Sequence, residues 1–241
     1  MKRRGSGAKP SRTTDRVHVI YSSAHWERLE SLRNEAARVM TALSQWTALT
    51  HGSVARGDVD DKSDVDVLIP LTANTQLVEA ALENSGFTIT SREIAQATPS
   101  HSPKAHLFLN PEQTTSVTIP LTPFRSLESE FYAFGGTVTL QQIHRKTRNP
   151  GCTKKLLVIE PAPDGHFESQ VIGRENEVAK LLGVSVAIVN ERARVLTRRD
   201  TIGRTGIYLR IPIRDEESFE EVLRARSDSD PAVRRTLRKR T

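Results

Sequence analysis

The sequence predicts an α+β fold, a mixed-sheet domain followed by a small winged helix-turn-helix-like domain. Three observations predict it. Over the first half of the chain, short apolar runs with strand character interleave with segments of helical periodicity. A pair of helical patterns follows at 177–196, broken by Gly183. Gly203 and Gly206 then permit a sharp hairpin.

Taken in order, His18 to Tyr21 reads as a first strand. A helix follows from Ala24 to Leu43, because Trp26, Leu29, Leu32, Ala36, Val39, Met40 and Leu43 recur near helical spacing. Ser22 or Ser23 can cap it. Trp46 to Leu49 reads as a strand running into a turn at Gly52. In Asp64 to Ile69, Val65, Val67 and Ile69 face opposite to Asp64, Asp66 and Leu68. A helix at Thr75–Leu82 and strands at Phe87–Arg92, His106–Leu109 and Val117–Leu121 come next. After Pro123, Leu127, Phe131 and Phe134 share one face of a helix that Gly135 and Gly136 stop. Leu156 to Ile159 is a strand ended by the turn signal Pro161–Gly165. The expected organisation is a basic flexible arm at 1–17, the mixed-sheet domain at 18–134 and a connecting region at 135–166. The winged helix-turn-helix-like domain then takes 167–211, and a basic C-terminal tail takes 212–241.

Composition narrows the function classes. The chain has 241 residues, 37% apolar, enough to bury a core. Its 35 Lys plus Arg against 29 Asp plus Glu leave a net charge of +6, which favours a polyanionic partner. The single Cys152 can form no internal disulfide and is too few for a zinc site, so it reads as structural or incidental. No run has the apolar character of a secretory signal or a membrane span, so a cytoplasmic protein is expected.

The chemistry lies in Gly52–Ser53 followed by Ser63–Asp64–Val65–Asp66. Asp64 and Asp66 stand two apart on a strand, so both carboxylates leave the same face and can share divalent cations. Gly52 lets the backbone bend close to a phosphate, and Ser53 offers a hydroxyl and a backbone N–H. Arg56 either points at a phosphate or braces the acidic strand. His51 either binds a phosphate or orients a substrate hydroxyl, or packs at the strand end. Asp58, Asp60 and Asp61 read as loop residues.

The segment from His51 to Val67 resembles the signature of the polymerase-beta-like nucleotidyltransferase superfamily. The resemblance implies a nucleotidyltransferase mixed-sheet domain, with Gly52 and Ser53 binding the triphosphate of an NTP. It implies Asp64 and Asp66 as catalytic residues that bind Mg²⁺ or Mn²⁺. The clear match spans about 51–69. The whole chain is similar to archaeal nucleotidyltransferases of uncharacterised function with a C-terminal helix-turn-helix. The superfamily modifies nucleic acids, antibiotics or proteins, so the motif leaves the acceptor open.

Active members place a third acid on a neighbouring strand. In Ser116–Pro120 the residue expected to face the site is Thr118, a poor metal ligand. Glu112 or Glu128 could approach from another element, chemistry could proceed on Asp64 and Asp66 with one metal, or the domain could bind nucleotide without reacting. The run His101–His106, with Lys104, reads as a solvated loop or a basic loop near the acceptor.

In the second module, Ala179, Leu181 and Leu182 supply the apolar face of the first helix, and Ser185 caps the second. Val189 and Leu196 return to the core. Arg192 and Arg194 are expected to stay exposed beside Arg198 and Arg199, ready for nucleic-acid phosphates. RNA is slightly favoured over DNA as partner. The sequence expectation is therefore a metal-dependent nucleotidyltransferase acting on a nucleic-acid or associated acceptor. The alternatives are a catalytically reduced regulator that binds nucleotide or nucleic acid, and a transcription factor with a relic N-terminal domain.

Overall fold

The computed structural model of the chain describes residues 16–203 and 206–240; most of the expected basic arm at 1–17 lies outside them. The elements run β1 (Val17–Ile20), α1 (Ser23–Ala42), β2 (Leu49–His51), α2 (Ser53–Arg56), β3 (Val65–Leu68), α3 (Thr75–Asn84) and β4 (Ser91–Gln96). Next come β5 (Lys104–Phe108), β6 (Thr115–Pro120), α4 (Ser126–Gly135), β7 (Thr137–Thr139), α5 (Leu140–His144) and β8 (Gly151–Cys152). The chain ends with β9 (Leu157–Ala162), β10 (Gly165–Gln170), α6 (Glu175–Leu182), α7 (Val186–Ile202), β11 (Leu209–Ile213), α8 (Phe219–Ser229) and α9 (Pro231–Arg238). This is an α+β architecture.

Among the described residues the strands form two sheets. The larger has the order β11-β4-β5-β6-β3-β2-β7, antiparallel except for the parallel pair β3–β6. The smaller has the order β1-β10-β9-β8. One face of the large sheet carries Val65, Val67, Ile69, Ile94, Ala105, Leu107, Val117 and Ile119, all buried against α1 and α3. Period-two side-chain alternation in the strands produces that face. α1 buries Leu29, Ala36, Val39 and Met40 at helical spacing, and Ser22 accepts a hydrogen bond from the His25 N–H to cap it.

Two strand expectations and one helix face shift. Trp46 sits in a turn instead of a strand, its N–H bonded to Leu43 O, and pairing starts only at Leu49. Phe87 packs on the core from an irregular segment, because its N–H closes the end of α3 on Leu82 O. The polar run Ser91–Gln96 is the strand in its place, since it lies inside the sheet between β11 and β5. In α4 the buried stripe is Glu128, Tyr132 and Phe134, while Leu127 and Phe131 are each 37% exposed. Partners for the Glu128 carboxylate and the Tyr132 hydroxyl across the interface turn the helix away from its most apolar face.

The helix pair forms as expected. Gly183 ends α6 in the left-handed region, and Ser185 caps α7 through the Ile188 N–H. Val178 and Ala179 of α6, with Ile188, Val189 and Leu196 of α7, fill a second core with Phe134, Cys152, Leu156 and Val158. Leu181 is exposed, against expectation, because α6 turns Val178 inward instead. The described residues of the expected wing form no hairpin. α7 continues to Ile202, and β11 pairs antiparallel with β4 of the large sheet, where ladder partners are available. The expected tail folds as α8 and α9, which bury Phe219, Leu223 and Val233 in the main core. No helix among the described residues is long and apolar enough to cross a membrane.

Candidate active site

β2 and β3 run antiparallel, with Thr50 opposite Val67, and the Thr50 hydroxyl donates to Asp66 O at 3.0 Å. The chain leaves β2 at His51 and bends at Gly52, whose φ is +78°. A Cβ at Gly52 would meet no atom within 4 Å, so backbone sign alone demands glycine. The Gly52 N–H is taken by Gly136 O at 3.0 Å. Ser53 opens the single turn of α2, and its hydroxyl donates to the Ser63 hydroxyl at 3.1 Å. Ser63 immediately precedes Asp64. The serine side of the bend and the start of the acidic strand are thus in direct contact.

Asp64 is exposed just before β3, and Asp66 is half-buried within it. The parallel register sets Asp66 beside Ser116, whose hydroxyl donates to the carboxylate at 2.7 Å. Thr118 stands beside Leu68, one row further along, and pairs with His106 Nδ1 at 2.9 Å. The neighbour of Asp66 is therefore Ser116, not Thr118, and both are neutral. Glu128 is not available as a third acid. Its carboxylate accepts from the Ser102 N–H (2.6 Å), the Arg125 N–H (2.8 Å) and the Arg240 guanidinium (2.5 Å). Glu112 is exposed on the turn between β5 and β6. Asp66 with the Ser116 hydroxyl, and Asp64 next in sequence to the Ser53–Ser63 hydroxyl pair, offer hard oxygen donors. That chemistry fits Mg²⁺ or Mn²⁺, with part of the shell left to phosphates and water.

The guanidiniums around the bend are committed to structure. Arg56 makes a paired contact with Asp58 at 2.9 Å on each arm and donates to Gly135 O at 2.6 Å. It is a buried brace, so the phosphate role expected as one possibility does not fit it. Burial with a fixed carboxylate partner explains why it cannot turn toward a ligand. Arg33 donates to Val54 O and Ala55 O beneath α2. Arg148 donates to Gly165 O at 2.8 Å and to Ala162 O.

Sequence reasoning missed the polar layer between the open sheet face and α4. His51 lies edge-on to the Tyr132 ring, with centroids 5.0 Å apart. Lys104 donates to the Tyr132 hydroxyl at 2.9 Å and lies 5.1 to 6.0 Å from the Tyr132, Phe124 and Phe131 ring centres. Burial pushes the Lys104 amine down to about 8 and the His106 imidazole down to about 4, leaving His106 neutral at pH 7. Burial also lowers His51 against the opposing pull of Asp66, and raises Tyr132, which Asp66 reinforces. Lys104 and His106 belong to β5, which replaces the expected loop; their two-residue spacing was the available signal.

Of the four arginines expected to meet nucleic acid, Arg194, Arg198 and Arg199 are exposed on α7. Arg192 instead lies over the Phe131 ring at 4.9 Å, its Nε buried without a hydrogen-bond partner. The α4–α7 contact captures it, and the Ser185 N–H at the start of α7 donates to Glu130 at 3.1 Å. Cys152 is buried, and burial pushes its thiol up to about 12, so it is unreactive. No family model, curated protein or solved structure matches the chain.

Proposed function

We propose that the chain is a metal-dependent nucleotidyltransferase that moves a nucleoside monophosphate from an NTP to a nucleic-acid or associated acceptor. The observation that carries this reading is the contact of the Ser53 hydroxyl with Ser63, which sets the glycine-serine bend against the segment that leads through Asp64 into β3 and Asp66. A triphosphate seated on the bend would bring its α-phosphate toward the segment that carries Asp64 and Asp66. Bound Mg²⁺ or Mn²⁺ would neutralise charge on the phosphates as the acceptor oxygen attacks. Asp64 and Asp66 would hold that ion, and Ser116 would fix the Asp66 carboxylate through its 2.7 Å hydrogen bond. In the reaction the acceptor oxygen bonds to the α-phosphorus, the α–β bridging bond breaks, and pyrophosphate departs. Arg194, Arg198 and Arg199 would supply salt-dependent contacts to a nucleic-acid backbone.

The test is incubation of the chain with each labelled NTP, Mg²⁺ or Mn²⁺ and total RNA, beside Asp66→Asn. Label transfer lost in the variant is the expected result. Transfer that persists in Asp66→Asn would overturn the assignment. The neutral Ser116 beside Asp66 favours one second reading, a reduced domain that binds nucleotide without reacting. Nucleotide binding that requires Asp66, with no label transfer to any acceptor, would select it.

A further inference from the structure

The second half of α7 forms one wall of a groove. Ala193, Arg194, Thr197, Arg198 and Thr201 recur at helical spacing and share one side of the helix. Gln170, at the end of β10, and Ile172 form the opposite wall. The space between them is open and holds about 720 Å³. That volume falls within the ~300–1,000 Å³ typical of small-ligand sites. Arg199, exposed on the same helix, does not line it.

The groove is apolar within and cationic along α7. Its walls expose almost only carbon. Ile172 and Ala193 also pack against the second core, so both walls are anchored. The Thr201 hydroxyl is spent on Thr197 O at 2.8 Å. Hydrogen bonding to a ligand therefore falls to the Thr197 hydroxyl and the Gln170 amide, which have no partner among the described residues. Arginines of the flanking segments are paired, Arg174 with Glu177 and Arg210 with Glu93. Arg194 and Arg198 are exposed and enter no ion pair among the described residues. An apolar slot bordered by two unpaired cations complements a flat apolar ring joined to a phosphate chain. A duplex does not meet that description, because pairing and stacking hide the faces of its bases.

We propose that this groove seats an unstacked base of a single-stranded nucleic acid, with Arg194 and Arg198 on the flanking phosphates. This rests on the reading of α7 as the nucleic-acid surface and names the form of nucleic acid it takes. The ring faces meet Ile172, Ala193 and the carbon stems of the two arginines. The Gln170 amide, which both donates and accepts, and the Thr197 hydroxyl serve the base edge. Phosphate contacts alone would hold any strand of equal charge; the groove adds a term that only an unpaired base can satisfy.

The experiment is fluorescence anisotropy of the full chain with three labelled probes: oligouridylate, the same backbone without bases, and oligouridylate annealed into a duplex. Wild type is expected to bind the single strand about tenfold tighter than either of the others. Thr197→Leu, which fills the groove at unchanged charge, should remove that preference. Arg199→Ala, which removes a charge outside the groove, should keep it. Photocrosslinking of a 4-thiouridine strand to wild type should mark Gln170, Ile172 or Thr197. Equal affinity for the strand without bases, equal affinity for the duplex, or crosslinks away from these residues would overturn the groove assignment and leave phosphate contact by α7 standing. Wild type that binds none of the three probes, whether or not an acidic amphipathic peptide binds in their place, would remove both. Label transfer lost in Asp66→Asn is a separate readout, so neither result decides the catalytic reading.

Discussion

Ser116 and Asp66 meet at 2.7 Å where a third acid would complete a two-metal site. An aspartate at 116 would face Asp66 directly. Without metal the two carboxylates repel and raise each other's proton affinity; with metal they share its charge. Ser116→Asp is therefore expected to tighten Mn²⁺ binding by roughly an order of magnitude, read by electron paramagnetic resonance. Unchanged binding would remove Ser116 from the metal's surroundings. The glycine-serine bend and the paired acids were legible as spacing within one short segment. The neighbour of Asp66 was not, because parallel pairing of β3 and β6 is set by distant packing, and a two-residue offset separates Ser116 from Thr118. Lys104 was illegible for a similar reason: its rings come from 124, 131 and 132, far along the chain. Its amine titrates near 8 when folded, against 10.5 when free. The unfolded chain thus holds more protons between these values, so stability rises with pH through that window. The cost below pH 8 is at most about 3 kcal/mol, reduced by the amine's partial contact with solvent. Denaturant melts of wild type and Lys104→Met from pH 7 to 10.5 should show wild type gaining relative to the variant. A constant difference would contradict the shift.

The turn elements depend on glycines that the sequence shows but does not explain. Gly135 and Gly136 read only as a helix stop, yet they are also the bed for Gly151. Gly151→Ala would force backbone against backbone, since the nearest atoms are Gly136 N and the Gly135 carbonyl group. Overpacking of this kind costs about 1–3 kcal/mol. At this chain length the melting temperature should fall by on the order of 2–12 °C. A variant with an unchanged melting temperature would show that the contact relaxes freely. The helix pair was legible to within a few residues, because Gly183 and Ser185 are local signals that act within their own segment. The pairing of Leu209–Ile213 was not legible. Glycines permit a hairpin, but the free edge of β4 decides where Leu209–Ile213 pairs.

Across the whole molecule, the first and last strands among the described residues join the two sheets. β1 pairs with β10, and β11 with α8 and α9 completes the large sheet and its core. Arg240 reaches back to Glu128, Pro123 O and Ser100 O. Removing residues 167–241 would therefore strip β10, β11 and core side chains, and lost nucleic-acid binding would report only unfolding. The nucleic-acid reading needs surface substitutions instead. α7 packs its first half on α4, through Ser185 with Glu130 and Arg192 with Phe131. Its second half leaves Arg194, Arg198 and Arg199 exposed. Contacts by that half fit phosphate backbone better than insertion of the helix start into a duplex groove. Each arginine that meets a phosphate contributes about one unit to the slope of log affinity against log salt. The combined Arg194→Ala, Arg198→Ala and Arg199→Ala variant should lower that slope by up to about three units on RNA, with an unchanged melting temperature. Arg192→Ala should differ in kind, lowering stability through lost packing on Phe131 and leaving the slope alone. A triple variant with wild-type affinity and slope would move the nucleic-acid surface away from α7 altogether.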